Sequence, residues 1–190
     1  MARGFKRTRK GIVGRFEGPE VRLLQKLFSD VGETLAPEPR EKAGEDEDPL
    51  EALLGWDQEV PEPTDPALRR MLPAASSDPE QAAEFRRLTD RSLRERKVAA
   101  LRASSLVLEA EPVVLSTEQA QDFARSLNDV RLVLAARLGI DTPQDAERVG
   151  ELTDFGRAET VEEYMAVVYN FVSWLQETLM DALLKTLPSA

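Results

Sequence analysis

Apolar residues recur with a helical period through most of this chain and alternate only near its start. Leu24, Phe28, Val31 and Leu35 follow at spacings of four, three and four, and Gly18-Pro19-Glu20 ahead of them sets Pro and an acid in a first turn. A helix is therefore expected from about residue 18 to the "APEP" that ends it. Further on, "SSDPEQAAEFRRLTDRSLRERKVAALRASSLVL" opens on a cap at Ser77 or Asp78 with Pro79 in the first turn. On a wheel of about 100° per residue, Phe85, Leu88, Ser92, Ala99, Ala103 and Leu106 share one side, the expected core face. Arg87, Arg91, Arg94 and Arg102 lie towards the other side, and Arg96 falls on the apolar one. Glu84, Asp90 and Glu95 are interleaved with the arginines at helical spacings, so the basic run reads first as a solvated face laced with ion pairs.

A third helix starts at Ser116 or Thr117, where Ser116 and Gln119 match a capping box and Leu115 is placed for a hydrophobic staple, and it stops at Gly139. Ala120, Phe123, Leu127, Val130, Leu134 and Leu138 form one face. The opposite side begins polar and turns apolar with Leu132, Val133 and Ala136, the pattern of a central helix entering the core. Asn128, Asp129 and Arg131 stand inside this stretch. Asp129 sits where the polar side becomes apolar, with Arg125 as its nearest partner on the same helix, and Arg131 needs a carboxylate on another helix or a route to water. Arg96 poses the same problem, with Asp129 as one candidate partner. Arg96, Asn128, Asp129 and Arg131 are therefore expected to form a structural polar core, not a catalytic one.

Residues 141–160 hold a short surface helix between loops, the five acids from Asp141 to Asp154 do not match a calcium loop, and Val113–Leu115 reads as a short extended segment. The last helix, capped by Thr160, presents Tyr164, Val167, Val168, Phe171, Trp174, Leu175 and Leu179, with Tyr169, Met180 and Leu184 behind them. That is more apolar surface than one groove covers, which suggests a homodimer through this C-terminal helix. At the other end of the chain, "GFKRTRKGIVGRF" alternates basic and other residues around Gly11, as a short β-hairpin or a basic arm would. The expected fold class is mainly α: a helical bundle of four to five main helices with a short N-terminal hairpin.

Charge sharpens the division of the chain. Net charge is −10, yet residues 1–35 carry eight Lys/Arg against four Asp/Glu, and residues 36–66 carry two against eleven. Such an acidic, Pro-rich stretch buries too little to offset its ordering entropy. The organisation is read as 1–35 (hairpin plus first helix), 36–78 (acidic linker with a short helix at 50–56) and 79–190 (helical core), with 1–35 packed on the core as one domain. Within the linker, "LEALLGW" offers Leu50, Leu53, Leu54 and Trp56, either for packing on its own domain or as a protein-docking motif with Trp56 as anchor. Lys6, Arg7, Arg9, Lys10 and Arg15 are the candidates for contact with nucleic acid or an acidic partner.

The chain has no cysteine and no histidine. Thiol catalysis, disulfides, Cys or His zinc sites and His-based triads are excluded. Met71, Met165 and Met180 read as structural. No glycine-rich phosphate loop or nucleophile elbow occurs, and no enzyme activity or cofactor is expected. Neither a membrane span nor a secretory signal is legible, so a cytoplasmic protein is expected.

"LNDVRLVLAARLGI" (127–140), "VVYNFVSWLQETL" (167–179) and "FKRTRKGIVGRF" (5–16) together resemble an actinobacterial domain-of-unknown-function family encoded beside the ClpS protease adaptor. That family includes the actinomycete oxidative-stress regulator. The resemblance implies a cytoplasmic, non-enzymatic regulatory protein acting through protein or DNA contacts, with the thiol switch absent from this copy. The other reading is an adaptor or structural partner linked to Clp proteolysis. Partners implied are the transcription machinery, DNA or the Clp machinery.

Overall fold

The computed structural model describes residues 2–36, 60–151 and 154–187. Strand β1 (Arg3–Thr8) and strand β2 (Gly11–Arg15) form an antiparallel hairpin, followed by helix α1 (Gly18–Leu35). Helix α2 (Pro66–Met71), helix α3 (Pro79–Val107), strand β3 (Val113–Leu115) and helix α4 (Thr117–Arg137) come next. Helix α5 (Pro143–Gly150), a 3₁₀ turn at Phe155–Arg157 and helix α6 (Val161–Leu184) complete the described chain. The fold is mainly α-helical with a short N-terminal hairpin, as the periodicity indicates, and β3 extends the hairpin into a three-stranded antiparallel sheet of order β1-β2-β3.

The hairpin owes its shape to three small residues and two aromatic ones. Thr8 pairs with Gly11 across the Arg9-Lys10 turn, where the Thr8 hydroxyl donates to the Gly11 carbonyl (2.9 Å) and accepts from the Lys10 N–H (3.1 Å). Gly11 sits at φ +124°, and a Cβ there would lie 2.6 Å from the Leu115 carbonyl oxygen. Gly14 lies under Phe5, whose ring would be 2.7 Å from any Cβ added there. Phe5 then packs edge-on against Phe16 (5.6 Å between ring centres) and Phe123 (5.4 Å), and Phe123 against Phe28 (5.5 Å). One chain of rings thus joins the sheet to α4 and α1. The register shifts between Arg3 and Lys6, and the Phe5 N–H is satisfied by the Thr178 hydroxyl of α6 (3.0 Å).

Helix α4 is the centre of the bundle: α2, α3 and α6 all pack against it, α1 lies on α3, and β1 lies on α6. Its expected face, Ala120, Phe123, Leu127, Val130, Leu134 and Leu138, is buried throughout, as are Leu24, Phe28, Val31 and Leu35 of α1. Ser116 and Gln119 close the expected capping box, and Gly139 ends the helix at φ +62°. In α6, Val167, Val168, Leu175 and Leu179 are buried with Ala166, Val172 and Ala182, whereas Tyr164 and Trp174 stay largely open.

Helix α3 corrects the wheel reading. Phe85, Leu88 and Leu106, the large residues of the expected core face, are 52%, 65% and 64% exposed. The helix instead turns Ala82, Leu101 and Ser104 inward, flanked by the partly buried Leu93, Val98 and Val107. Charged residues line this inner side: Arg94 bonds Asp90 (2.7 Å) and the Leu35 carbonyl (3.2 Å), tying α3 to the end of α1. Stems of long cations cover apolar surface while their heads find partners, which is why the core side looks polar on a wheel. Helix α2 also departs from expectation. It lies within the stretch read as linker, yet Ala67 and Met71 are fully buried, and Asp65 both caps it and grips Arg137 of α4 (2.6 Å).

Phe5→Ala should destabilise the protein by about 3–4 kcal/mol in urea unfolding, and Gly14→Ala should also destabilise it. Val114→Ala, on the open face of the same sheet, should stay within about 0.5 kcal/mol. Equal losses at all three positions would show that the ring chain carries no special weight.

Candidate interaction site on the hairpin

Phe5, Ile12 and Phe16 bury into the bundle, while the hairpin's cations remain exposed around them. Lys6, Arg7, Arg9, Lys10 and Arg15 are all exposed. Lys6 and Arg7 lie on β1 opposite Val13 and Ile12, Arg9 and Lys10 form the turn, and Arg15 ends β2 opposite Arg3. The structure brings these five predicted residues together on one small rigid element. Among the described residues none of them has a carboxylate within ion-pair distance.

The basic run of α3 differs. Arg87 pairs with Glu84 (2.8 Å), Arg91 with Glu95 (2.9 Å) and Arg94 with Asp90 (2.7 Å). Hydrogen bonding to Arg87 also draws the Glu84 carboxyl below the usual carboxylate range. These arginines are already matched on their own helix, and the ion-pair reading of that face holds for them.

The four residues expected to form a polar core separate in the structure. Asp129 is buried, and its partner is Lys97 of α3 (Nζ donating at 2.6 Å), neither Arg125 nor Arg96. Arg125 bonds Asp122 (2.7 Å) instead, and Arg96 is exposed with its Nε donating to the Ser92 carbonyl (3.2 Å). Asn128 points its residue surface to solvent. Arg131 finds neutral acceptors, Ser173 Oγ and Gln176 Oε1 of α6 (both 3.0 Å), and stacks over the Tyr169 ring at 5.7 Å. Beside the Lys97–Asp129 pair, the buried Ser104 and Ser126 hydroxyls bond each other (2.9 Å). Polar contacts of two kinds therefore join α3 to α4, and sequence periodicity alone did not reveal the Lys97 half.

Burial pushes the Asp129 carboxyl above its ordinary value, opposed by the hydrogen bond and charge of Lys97. A cleft of about 420 Å³ between the start of α1 and the 108–113 loop is lined by Arg22, Gln25, Glu109 and Glu111 over Phe16 and Val21. Among the described residues no cluster of three or more acids is arranged to hold a metal ion, and no helix is long and apolar enough to cross a membrane. Leu50, Leu53, Leu54 and Trp56 lie outside the described residues.

The profile of one family, described as a domain of unknown function (DUF2017), matches residues 2–183, and the chain belongs to that family. No curated protein and no solved structure matches the chain.

Two outcomes follow from the buried pair. Lys97→Met should cost about 3 kcal/mol, and the double variant Lys97→Met/Asp129→Leu should cost less than that single change, because the single one strands a buried carboxylate. Between the usual carboxylate pKa and the raised one, the folded chain holds more protons than the unfolded chain. Asp129 therefore contributes most below that window, and stability falls as pH rises through it. Asp129→Asn should flatten this part of the stability–pH profile; an identical slope in wild type and variant, by urea unfolding at stepped pH, would disprove the assignment.

Proposed function

We propose that this member of the DUF2017 family is a non-catalytic regulator that docks its N-terminal hairpin on the phosphates of DNA. The carrying observation is the contrast between the hairpin and α3. Lys6, Arg7, Arg9, Lys10 and Arg15 stand exposed without carboxylate partners among the described residues, while Arg87, Arg91 and Arg94 of α3 are paired with neighbouring acids. A two-stranded ribbon also fits the major groove in width, and its backbone is held by the aromatic chain behind it. A net charge of −10 repels nucleic acid from most of the molecule, so approach with the hairpin foremost is the favourable one. The sequence resemblance to the oxidative-stress regulator supports the regulatory role. With no cysteine in the chain, its response does not run through a thiol. The Clp-linked adaptor reading would dock through residues 50–56 or the C-terminal helix, and it rests on that same resemblance.

Binding to a mixed-sequence DNA duplex, followed by fluorescence anisotropy, tests this reading. Log affinity should fall against log salt with a slope of about −4 to −5 if the five cations each meet a phosphate. Replacing Lys6, Arg7, Arg9 and Lys10 together by Ala should flatten that slope to about −1. Absence of duplex binding at low salt, or an unchanged slope in the variant, would overturn it. Recovery of Clp machinery by crosslinking, with the hairpin variant indistinguishable from wild type, would move the assignment to the adaptor.

A further inference from the structure

The outward face of α3 is not covered by any described element. Phe85, Leu88, Ser92, Ala99, Ala103 and Leu106 all lie exposed along it. Their spacings are three, four, seven, four and three, the a/d pattern of a helix–helix seam. That series reads the same from both ends. Its centre is the peptide between Glu95 and Arg96, two oppositely charged and exposed residues.

We propose that this face is the interface of an antiparallel, two-fold symmetric homodimer of the chain. Such an axis requires each residue to face its mirror position. Phe85 then meets the partner subunit's Leu106, Leu88 meets the partner's Ala103, and Ser92 meets the partner's Ala99. Large side chains fill the two ends of the seam, and small ones let the helices approach at its middle. At the axis itself Glu95 faces the partner's Arg96, and the symmetry makes that pair twice. A parallel pairing would set Glu95 on Glu95 and Arg96 on Arg96, with like charges opposed. The seam runs about 32 Å, from Phe85 to Leu106, at the helical rise, along a helix of 29 residues. The occupant that matches both the palindromic spacing and the charge reversal at its centre is a second copy of α3. The expected dimer face on the C-terminal helix shows no such self-matching order, and this interface stands or falls independently of the DNA reading.

The full chain should sediment at about twice its 21.2 kDa mass. Glu95→Arg should raise the dimer dissociation constant about tenfold or more, as should Arg96→Glu, and the double reversal Glu95→Arg/Arg96→Glu should restore it. Both substitutions are at exposed positions, so unchanged circular dichroism separates a lost interface from a lost fold. Register is read with single cysteines, which the native chain lacks. A mixture of Ser92→Cys and Ala99→Cys should give the mixed disulfide in preference to either homodisulfide. A monomer at about 100 µM, a concentration at which ~10 µM affinity would be evident, overturns the proposal, whether the seam is open or taken by another segment. Homodisulfides from each variant alone, or a dimer indifferent to charge reversal, overturn it too.

Discussion

The line of aromatic rings from Phe16 through Phe5 and Phe123 to Phe28 is the contact on which the remaining architecture hangs. Each ring belongs to a different part of the chain: the strand end, the first strand, the central helix and the first helix. A two-stranded hairpin is marginal in water by itself. Here its inner face is edge-packed into the bundle, and the glycine beneath Phe5 makes room for the ring. What would otherwise be a floppy basic tail becomes a fixed platform, and the bundle gains a lid over one end of α4. The same short element therefore serves stability through its buried residues and presents charge through its exposed ones.

Much of this was legible in the sequence, and each failure has a physical cause. The faces of α1 and α4 were readable because each carries one apolar stripe, so size and burial agree. Helix α3 carries two. Phe85, Leu88 and Leu106 form the more conspicuous stripe, and it faces outward, whereas the inner side is built of Ala82, Leu101, Ser104 and the stems of Arg94 and Lys97. A wheel ranks residues by side-chain character and cannot see that Asp90 and Asp129 make those cations acceptable at a helix contact. The Lys97–Asp129 pair crosses between helices 32 positions apart, and no local spacing encodes it. Helix α2 escaped for a different reason: six residues give less than two turns of pattern, although Asp65 and Pro66 do spell a helix start.

The distribution of pairing separates the two basic regions better than their composition does. Both are rich in arginine. On α3 acids interleaved at helical spacing pair Arg87, Arg91 and Arg94; on the hairpin, strand geometry and a tight turn leave no acid within reach among the described residues. The hairpin candidates were legible from sequence because their basic run contains no acid at all between Met1 and Phe16. The docking residues at 50–56 and the domain boundary near 78 gain nothing from the geometry, since the one lies outside the described residues and the other falls in a loop just beyond a buried helix.

The outer edge of β1 is met by α6 at one point. Thr178 accepts the Phe5 N–H and donates its own hydroxyl to the Leu175 carbonyl of its helix (2.9 Å), while the backbone at Gly4 rests directly on its side chain. A strand edge with free donors invites another strand, from any passing chain. Thr178 takes up one of those donors, at Phe5 on the longest strand of the sheet. The strand is thereby pinned to α6 at the point where its register shifts, and the hairpin's charges are held at a fixed place on the bundle.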